Sequence, residues 1–479
     1  MKTSDYVDPE LVFGETPIIK EPRIIGDWIL WLEQRPKENG RTTALIRPWR
    51  QSDFIPQELT PSPIDLRTKV HGYGGAPLQA IQKGSNLLLT WIDNSDKCLW
   101  TRTWSGLGQD DKSNYQKLRP KDIPICLSKK QNYLLADGLI DLKRNIWIGL
   151  MESNGIDHIV SFSLHEADQI PTTLYSCKGF LGYVVLSPKG DKLAWIEWQD
   201  PFMPWDSNQL NLAKISDKGE IFQIDKLDNK KFDFEGKISF FNPTWSDGGD
   251  LYVAEDSSGW WNIARIDSSF KNKGTSLFQQ KMTMTAEMAF PQWVLGMSSF
   301  SCVGDEVISA ICHDGSWSLG LFSRNGTCRI IQQPFNDLSG INARQNRVVA
   351  IASSPIIGQG ILEIDLLDDS HKHTPASSVS IPKEKISVGK SFWFSGSNDN
   401  KVHAWYYQPV NKTLDPPPLL VKSHSGPTGM AKCGLDMEVQ FWTSRGWSVL
   451  DVNYGGSTGF GREYRDRLKG NWGVVDILD

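Results

Sequence analysis

Two stretches do most to limit what this chain can fold into. The first runs Leu186-Ser187-Pro188-Lys189-Gly190-Asp191-Lys192-Leu193-Ala194-Trp195 and reads as strand, tight turn, strand. Residues 243–253 (PTWSDGGDLYV) repeat it, with Ser187 and Ser246 59 residues apart. Similar pairs of alternating segments recur along the chain: 27–33 with 42–47, 85–92 with 98–104, and 133–138 with 145–151. Later come 300–312 with 316–322, and 348–353 with 360–366. Counting gives about seven units between Ile24 and Leu367, each about 40–50 residues long, the size of a four-stranded propeller blade. The competing arrangement is a string of β-sandwich domains. No long Gly/Ser-rich or charge-rich linker splits the region, which argues against it. The 20 tryptophans fit strand-rich repeat packing.

Composition narrows the function classes. Charged residues make up 22% and the net charge is −5, with both signs interspersed, so nothing marks a nucleic-acid partner. No run is long and apolar enough for a membrane span, and MKTSDYVDPE has no apolar signal core. Seven cysteines (98, 126, 177, 302, 312, 328, 433) are scattered, odd in number and free of any C-x-x-C, which predicts reduced thiols in a cytoplasm. His371 and His373 sit in a polar stretch, DDSHKHTPASS, read as a solvated loop; no metal site and no cofactor are expected.

The pattern changes toward the C-terminus. After Pro416 to Pro418, Leu419–Ser423 (LLVKS) reads as a buried strand. Leu435, Val439 and Trp442 recur at helical spacing, Gly446 stands where a helix ends, and 447–453 (WSVLDVN) reads as the next strand. Strand, helix, strand in about 35 residues implies a parallel pair. A hairpin of 391–397 with 401–408, turning at 398–400, precedes it.

Two loops sharpen this. His424-Ser425-Gly426-Pro427 resembles the His-Gly-Gly-Pro loop of the prolyl oligopeptidase family of serine peptidases, in particular its acylaminoacyl-peptidase and dipeptidyl-aminopeptidase-like branch. Asn453-Tyr454-Gly455-Gly456-Ser457-Thr458-Gly459-Phe460-Gly461 resembles that branch's Asn-Tyr-Arg-Gly-Ser-Thr-Gly-Tyr-Gly loop, with Trp472-Gly473 and Asp476 behind it. Upstream, 200–206 (DPFMPWD), 257–267 (SSGWWNIARID), 290–300 (FPQWVLGMSSF) and His71-Gly72-Tyr73-Gly74-Gly75 look like stretches of the same branch. The His71 loop is assigned structure, its glycines suiting a tight turn.

The resemblance implies a mainly β chain: an N-terminal β-propeller, seven-bladed, followed by an incomplete α/β-hydrolase domain. Expected divisions are a leader at 1–23 that packs back on the hydrolase part, the propeller at 24–383, and the start of the hydrolase at 384–479. It implies a serine-type peptidase acting on short peptides, as an exopeptidase or oligopeptidase, with the propeller admitting small or unfolded peptides through a limited opening. Gly426 is expected to offer its backbone N–H to the oxyanion of acyl transfer, a donor worth about 3–4 kcal/mol. His424, Ser425, Pro427, Gly455 and Gly456 complete the active-site loops. Ser425 replaces the family's usual glycine, and its Cβ is a strain wherever φ is positive.

Gly455-Gly456-Ser457-Thr458-Gly459 also fits the G-x-S-x-G nucleophile elbow. Three points set Ser457 aside. No histidine follows His424, Gly459 and Gly461 break the helix an elbow requires, and the family's elbow lies one strand later. The triad is therefore expected beyond Asp479, on a missing C-terminal segment or a second chain. Trp198, Trp205 and Trp260 are read as structural, and Glu197, Glu255 and Asp256 receive no role. The alternatives kept are a non-catalytic propeller that binds a peptide or protein, and one half of a split enzyme. As a fragment, the chain is expected to leave the edges of LLVKS and WSVLDVN open and to be poorly soluble unless 383–479 is covered. The expected outcome for the purified 479-residue chain is no hydrolysis of an aminoacyl-nitroanilide; phosphonate-sensitive turnover by that chain contradicts it.

Overall fold

The structure, a computed structural model, describes residues 6–12, 16–108, 115–228, 237–270, 278–377, 381–411 and 414–479. Seven antiparallel sheets follow one another, each cut from one unbroken stretch: 18–58, 78–126, 134–177, 180–227, 240–282, 300–331 and 337–375. They are blades 1 to 7. Six have four strands; blade 2 has a fifth because Arg119–Pro120 and Ile125–Cys126 both pair with Leu99–Ser105. The first strand of each blade touches the first strands of its neighbours all the way round, blade 7 meeting blade 1. The fold is thus a seven-bladed β-propeller.

The first strands are the irregular ones. Five of the seven carry a register shift, at Lys20/Arg23, Ala136/Leu139, Gly182/Val185, Phe241/Thr244 and Ser339/Asn342. Each shift holds a residue at positive φ: Glu21, Asp137, Tyr183, Asn242 and Gly340. Such a bulge increases local twist and turns backbone toward the axis. The leader expected at 1–23 ends earlier, since Ile18–Ile25 already form the first strand of blade 1. Further upstream, Val7 N–H donates to Ser444 Oγ (3.1 Å) and Val7 O accepts from Arg445 (2.9 Å), so residues 6–12 pack on the helix Met437–Ser444.

Among the described residues no strand is exchanged between blades 1 and 7, and side chains close the ring. Arg47 is fully buried and donates to Glu363 (2.6 Å), itself fully buried, and to Thr374 Oγ1 (3.0 Å). The Arg50 N–H donates to the same carboxylate (2.6 Å), and Arg347 pairs with Asp27 (2.7 Å). Ile19, Ile24, Ile29 and Trp31 of blade 1 pack with Val349, Ile351 and Ile361 of blade 7.

After the 3-10 turn Lys383–Lys385 comes an eighth sheet of different type, with spatial order Lys390–Ser395, Lys401–Tyr407, Ser448–Asn453, Leu419–Ser423. The last two strands are parallel, joined by helix Met437–Ser444, whose Asp436 cap accepts from the Glu438 and Val439 N–H groups. Gly446 has φ +89° just past its end. Leu419 and Val421 are exposed on the edge strand, which corrects the reading of LLVKS as a buried strand: among the described residues it is covered on neither its free edge nor its outer face. Ser448–Asn453 is paired on both sides, which corrects the expectation that WSVLDVN forms an open edge. His371 and His373 lie in the outer strand His371–Pro375, not in a loop, and His373 stacks on Phe335 (4.5 Å). Burial lowers the pKa of His373.

Breaking one half of a buried ion pair strands the other charge. Glu363→Leu alone is therefore expected to cost about 3–5 kcal/mol in urea denaturation. Adding Arg47→Met is expected to restore most of it; a single variant as stable as the parent contradicts closure through this pair.

Candidate active-site loops

The parallel register of Leu419–Ser423 against Ser448–Asn453 sets Ser423 opposite Val452. Both strands therefore end together, and the loops 424–429 and 454–461 leave the same edge of the sheet side by side. In open α/β sheets that carboxyl edge is where ligands bind.

The two loops are laced together. The His424 and Tyr454 rings stack at 4.4 Å, and the Tyr454 hydroxyl donates to Gly426 O (2.6 Å). Thr428 N–H donates to Gly456 O (3.0 Å) and Thr458 N–H to Gly429 O (2.9 Å). Gly456 has φ +115°, and a Cβ there would meet the Leu468 side chain at 2.6 Å. Gly455 N–H donates to Asp479 Oδ2 (2.7 Å).

His424 Nε2 lies 2.7 Å from Ser457 Oγ, the spacing of a nucleophile and its base. The remaining contacts give the pair another meaning. Ser457 is fully buried and its hydroxyl donates to Tyr454 O (2.8 Å), which leaves Oγ to accept from the ring N–H of His424. Burial lowers the His424 pKa, favouring the neutral ring. The pair is a clasp between loops, closed to a substrate carbonyl.

Gly426 is exposed, with φ +69°. Among the described residues no acceptor is paired with its N–H. The residues at positive φ in this loop are Gly426 and Thr428; Ser425 is not among them, so its Cβ brings none of the strain expected from the sequence. A backbone donor that is free, exposed and braced from behind is suited to receive charge that develops on a carbonyl oxygen.

The propeller braces the same loops. Trp293, just ahead of blade 6, donates from Nε1 to Thr428 Oγ1 (2.9 Å) and packs on Trp205 (4.4 Å) and Tyr73 (5.5 Å). Below the second loop, Asp256 binds Arg462 and Arg465, the latter at 3.0 Å. The Arg465 guanidinium lies 4.2 Å above the Trp261 ring. Glu287 accepts from the Gly461 N–H (3.1 Å) and the Trp261 N–H (2.8 Å). Glu197 accepts from the Tyr175 hydroxyl (2.8 Å), and Glu255 from Ser257 N–H (2.8 Å). Trp198 is stacked on Phe180 (5.6 Å), and Trp260 lies 3.3 Å from where a Cβ on Gly461 would be. The bracing by Trp293, Asp256 and Glu287 was not assigned from sequence. Trp293 does fall in a stretch, 290–300, already singled out there.

Residues 434–479 match the model of the prolyl oligopeptidase family. Over that stretch the chain is similar to members of that family. It is 27% identical in sequence to a puromycin-hydrolysing peptidase of Mycobacterium tuberculosis, with a TM-score of 0.84 over 96% of this chain and 69% of that one. A dipeptidyl-peptidase 4 of Giardia intestinalis is 32% identical over 104 residues, 20% of this chain and 13% of that protein. A dipeptidyl-peptidase 5 of Aspergillus fumigatus is 34% identical over 111 residues, 22% and 15% of the two chains. The matched stretches thus span under a fifth of these two curated relatives. Among the described residues no group of His, Cys, Asp and Glu is arranged to hold a metal ion, and no helix is long and apolar enough to cross a membrane.

Burial pushes the Glu287 carboxyl from the ordinary 4.5 up to about 7, against the opposing pull of Arg465. A group whose folded pKa is raised favours the fold below its unfolded value and loses that contribution as pH rises through the folded one. Glu287→Gln is therefore expected to flatten the pH dependence of thermal stability between about 4.5 and 7. An unchanged profile contradicts the assignment.

Proposed function

We propose that this chain is the propeller and oxyanion-side portion of a serine-type peptidase that hydrolyses short peptides. The observation that carries the reading is the unpaired, exposed Gly426 N–H on a loop held by Tyr454, Thr428 and Trp293. In acyl transfer the attacked carbonyl oxygen becomes negative, and a fixed donor stabilises that state more than the ground state. His424, Ser425, Pro427, Gly455 and Gly456 shape and brace the loop. Ser457 is not the nucleophile. Attack by a serine, proton transfer through a histidine and orientation of that histidine by an aspartate need groups outside these 479 residues. The chain alone is therefore inactive. The described residues ahead of Ile18 act as a leader on the hydrolase part, and the division near 383–388 separates propeller from hydrolase. Seven free thiols support a reducing, cytoplasmic setting. No cofactor enters the reaction.

The hydrolase of Mycobacterium tuberculosis acts on puromycin, which makes aminoacyl amides sensible first substrates here. The test supplies the 479 residues with the catalytic Ser, Asp and His segment and follows aminoacyl-nitroanilide hydrolysis and fluorophosphonate labelling. Labelling is expected on a serine outside the present residues, with Ser457→Ala leaving kcat unchanged. Gly426→Pro, which deletes the N–H, is expected to lower kcat by about 100- to 1000-fold. Gly426→Ala, which keeps it, is expected to lower kcat far less. Label on Ser457, or wild-type kcat in the proline variant, contradicts the proposal.

A further inference from the structure

The propeller axis is closed at one end. Segment 293–297 leads into blade 6 but leaves that blade and lies across the axis. Leu295 N–H donates to Gly74 O at the entry to blade 2 (2.9 Å), and Gly75 and Leu295 form a parallel bridge. Val294 O accepts from the Tyr183 hydroxyl of blade 4 (3.2 Å). Leu295 Cδ2 lies 2.9 Å from where a Cβ on Gly182 would be. Blades 2 and 4 are not neighbours of blade 6, so one segment reaches both only by crossing the centre of the ring.

The crossing is built in. Gly75 has φ +108°, and a Cβ there would lie 2.1 Å from Leu295 O, so the two backbones meet only because residue 75 is glycine. Glu21 of blade 1 clamps the junction from below: it accepts from Ala76 N–H (3.0 Å) and pairs with Arg23 (2.9 Å). The plug lies on the face where the first strands begin, which is the face where Trp293 meets Thr428. Beyond it, a cavity of about 450 Å³ has Glu21, Ala76 and Gly296 at one end and reaches Gln82 and Arg344 at the far ends of their strands. A separate cavity of about 440 Å³ borders His424 from the side, between Asp337 and Ser353 of blade 7 and Met430 and Lys432 of the hydrolase part.

We propose that the axial channel is a blind funnel, sealed from the active-site loops by the 71–76 and 293–297 plug. Peptides then reach those loops sideways, between blade 7 and the hydrolase part. The closed channel stands on geometry alone; the sideways route also rests on the peptidase reading above.

Two measurements test the two halves separately. In the 479-residue chain, hydrogen exchange of peptides covering 293–297 is expected to be at least about 100-fold slower than in free chain. Exchange at the free-chain rate overturns the seal. The second uses Ala76→Cys with Gly296→Cys, because an ideal Cβ on Gly296 lies 3.2 Å from that of Ala76. Disulfide-bonded Cβ atoms stand about 3.5–4.5 Å apart, so a small shift lets the pair oxidise. A pair that stays reduced under oxidising conditions contradicts the juxtaposition. In the catalytically complete protein, oxidised and reduced forms are expected to agree within about twofold in kcat/KM, since substrate does not pass the staple. A loss of about tenfold on oxidation, reversed by reductant, overturns the sideways route. Absence of any peptide hydrolysis sinks the peptidase reading instead, while the exchange result still decides whether the channel is closed.

Discussion

Each blade is one stretch of chain, and among the described residues no disulfide and no shared strand joins the seventh blade to the first. The ring stands on the Arg47–Glu363 pair and the apolar seam around it. Two fully desolvated charges are costly unless every donor and acceptor is matched. Here the guanidinium also reaches Thr374 and the carboxylate also takes the Arg50 N–H. A ring opened at that seam would release the first strands from one another. Segment 293–297 is held in part by one of those strands, through the Tyr183 hydroxyl.

The same economy of contacts appears where the propeller meets the hydrolase part. Loop 454–461 is fixed by loop 424–429 through Tyr454 and Thr428 and by Glu287 from below, while Asp256 holds the helix Arg462–Asp466 that follows it. Trp293 holds loop 424–429 from the axis. The donor at Gly426 has no acceptor among the described residues, while the two loops around it are tied to each other and to Trp293 by hydrogen bonds. Preorganisation of that kind costs no rearrangement when charge develops.

Much of this was legible in the sequence, and the rest was hidden for physical reasons. Second and third strands were readable as pairs, as in 27–33 with 42–47 and 85–92 with 98–104, because they pair without interruption. The first strands were harder to read: Ile18–Ile25 was missed, and Leu134–Asp141 was read only as 133–138, which breaks off at its bulge. Their bulges shift the two-residue period in mid-strand, and Pro22 reads as a breaker. The loops carrying Gly426 and Gly456 were readable because both follow short apolar strands and hold several glycines. Their partners were not: Trp293 is 135 residues from Thr428, and Asp256 is 209 from Arg465. Periodicity says nothing about contacts at that distance. The His71–Gly75 glycines were read as a tight turn, whereas Gly75 is needed for the close approach of Leu295.

The peptidase reading requires that Gly426 meet the oxyanion. The most direct measurement is a crystal structure of the catalytically complete protein with a peptidyl phosphonate bound to its serine. The phosphonyl oxygen is expected about 2.7–3.1 Å from Gly426 N. An oxygen that sits beyond about 4 Å from that nitrogen, bound by other donors, contradicts the assignment of the 424–429 loop.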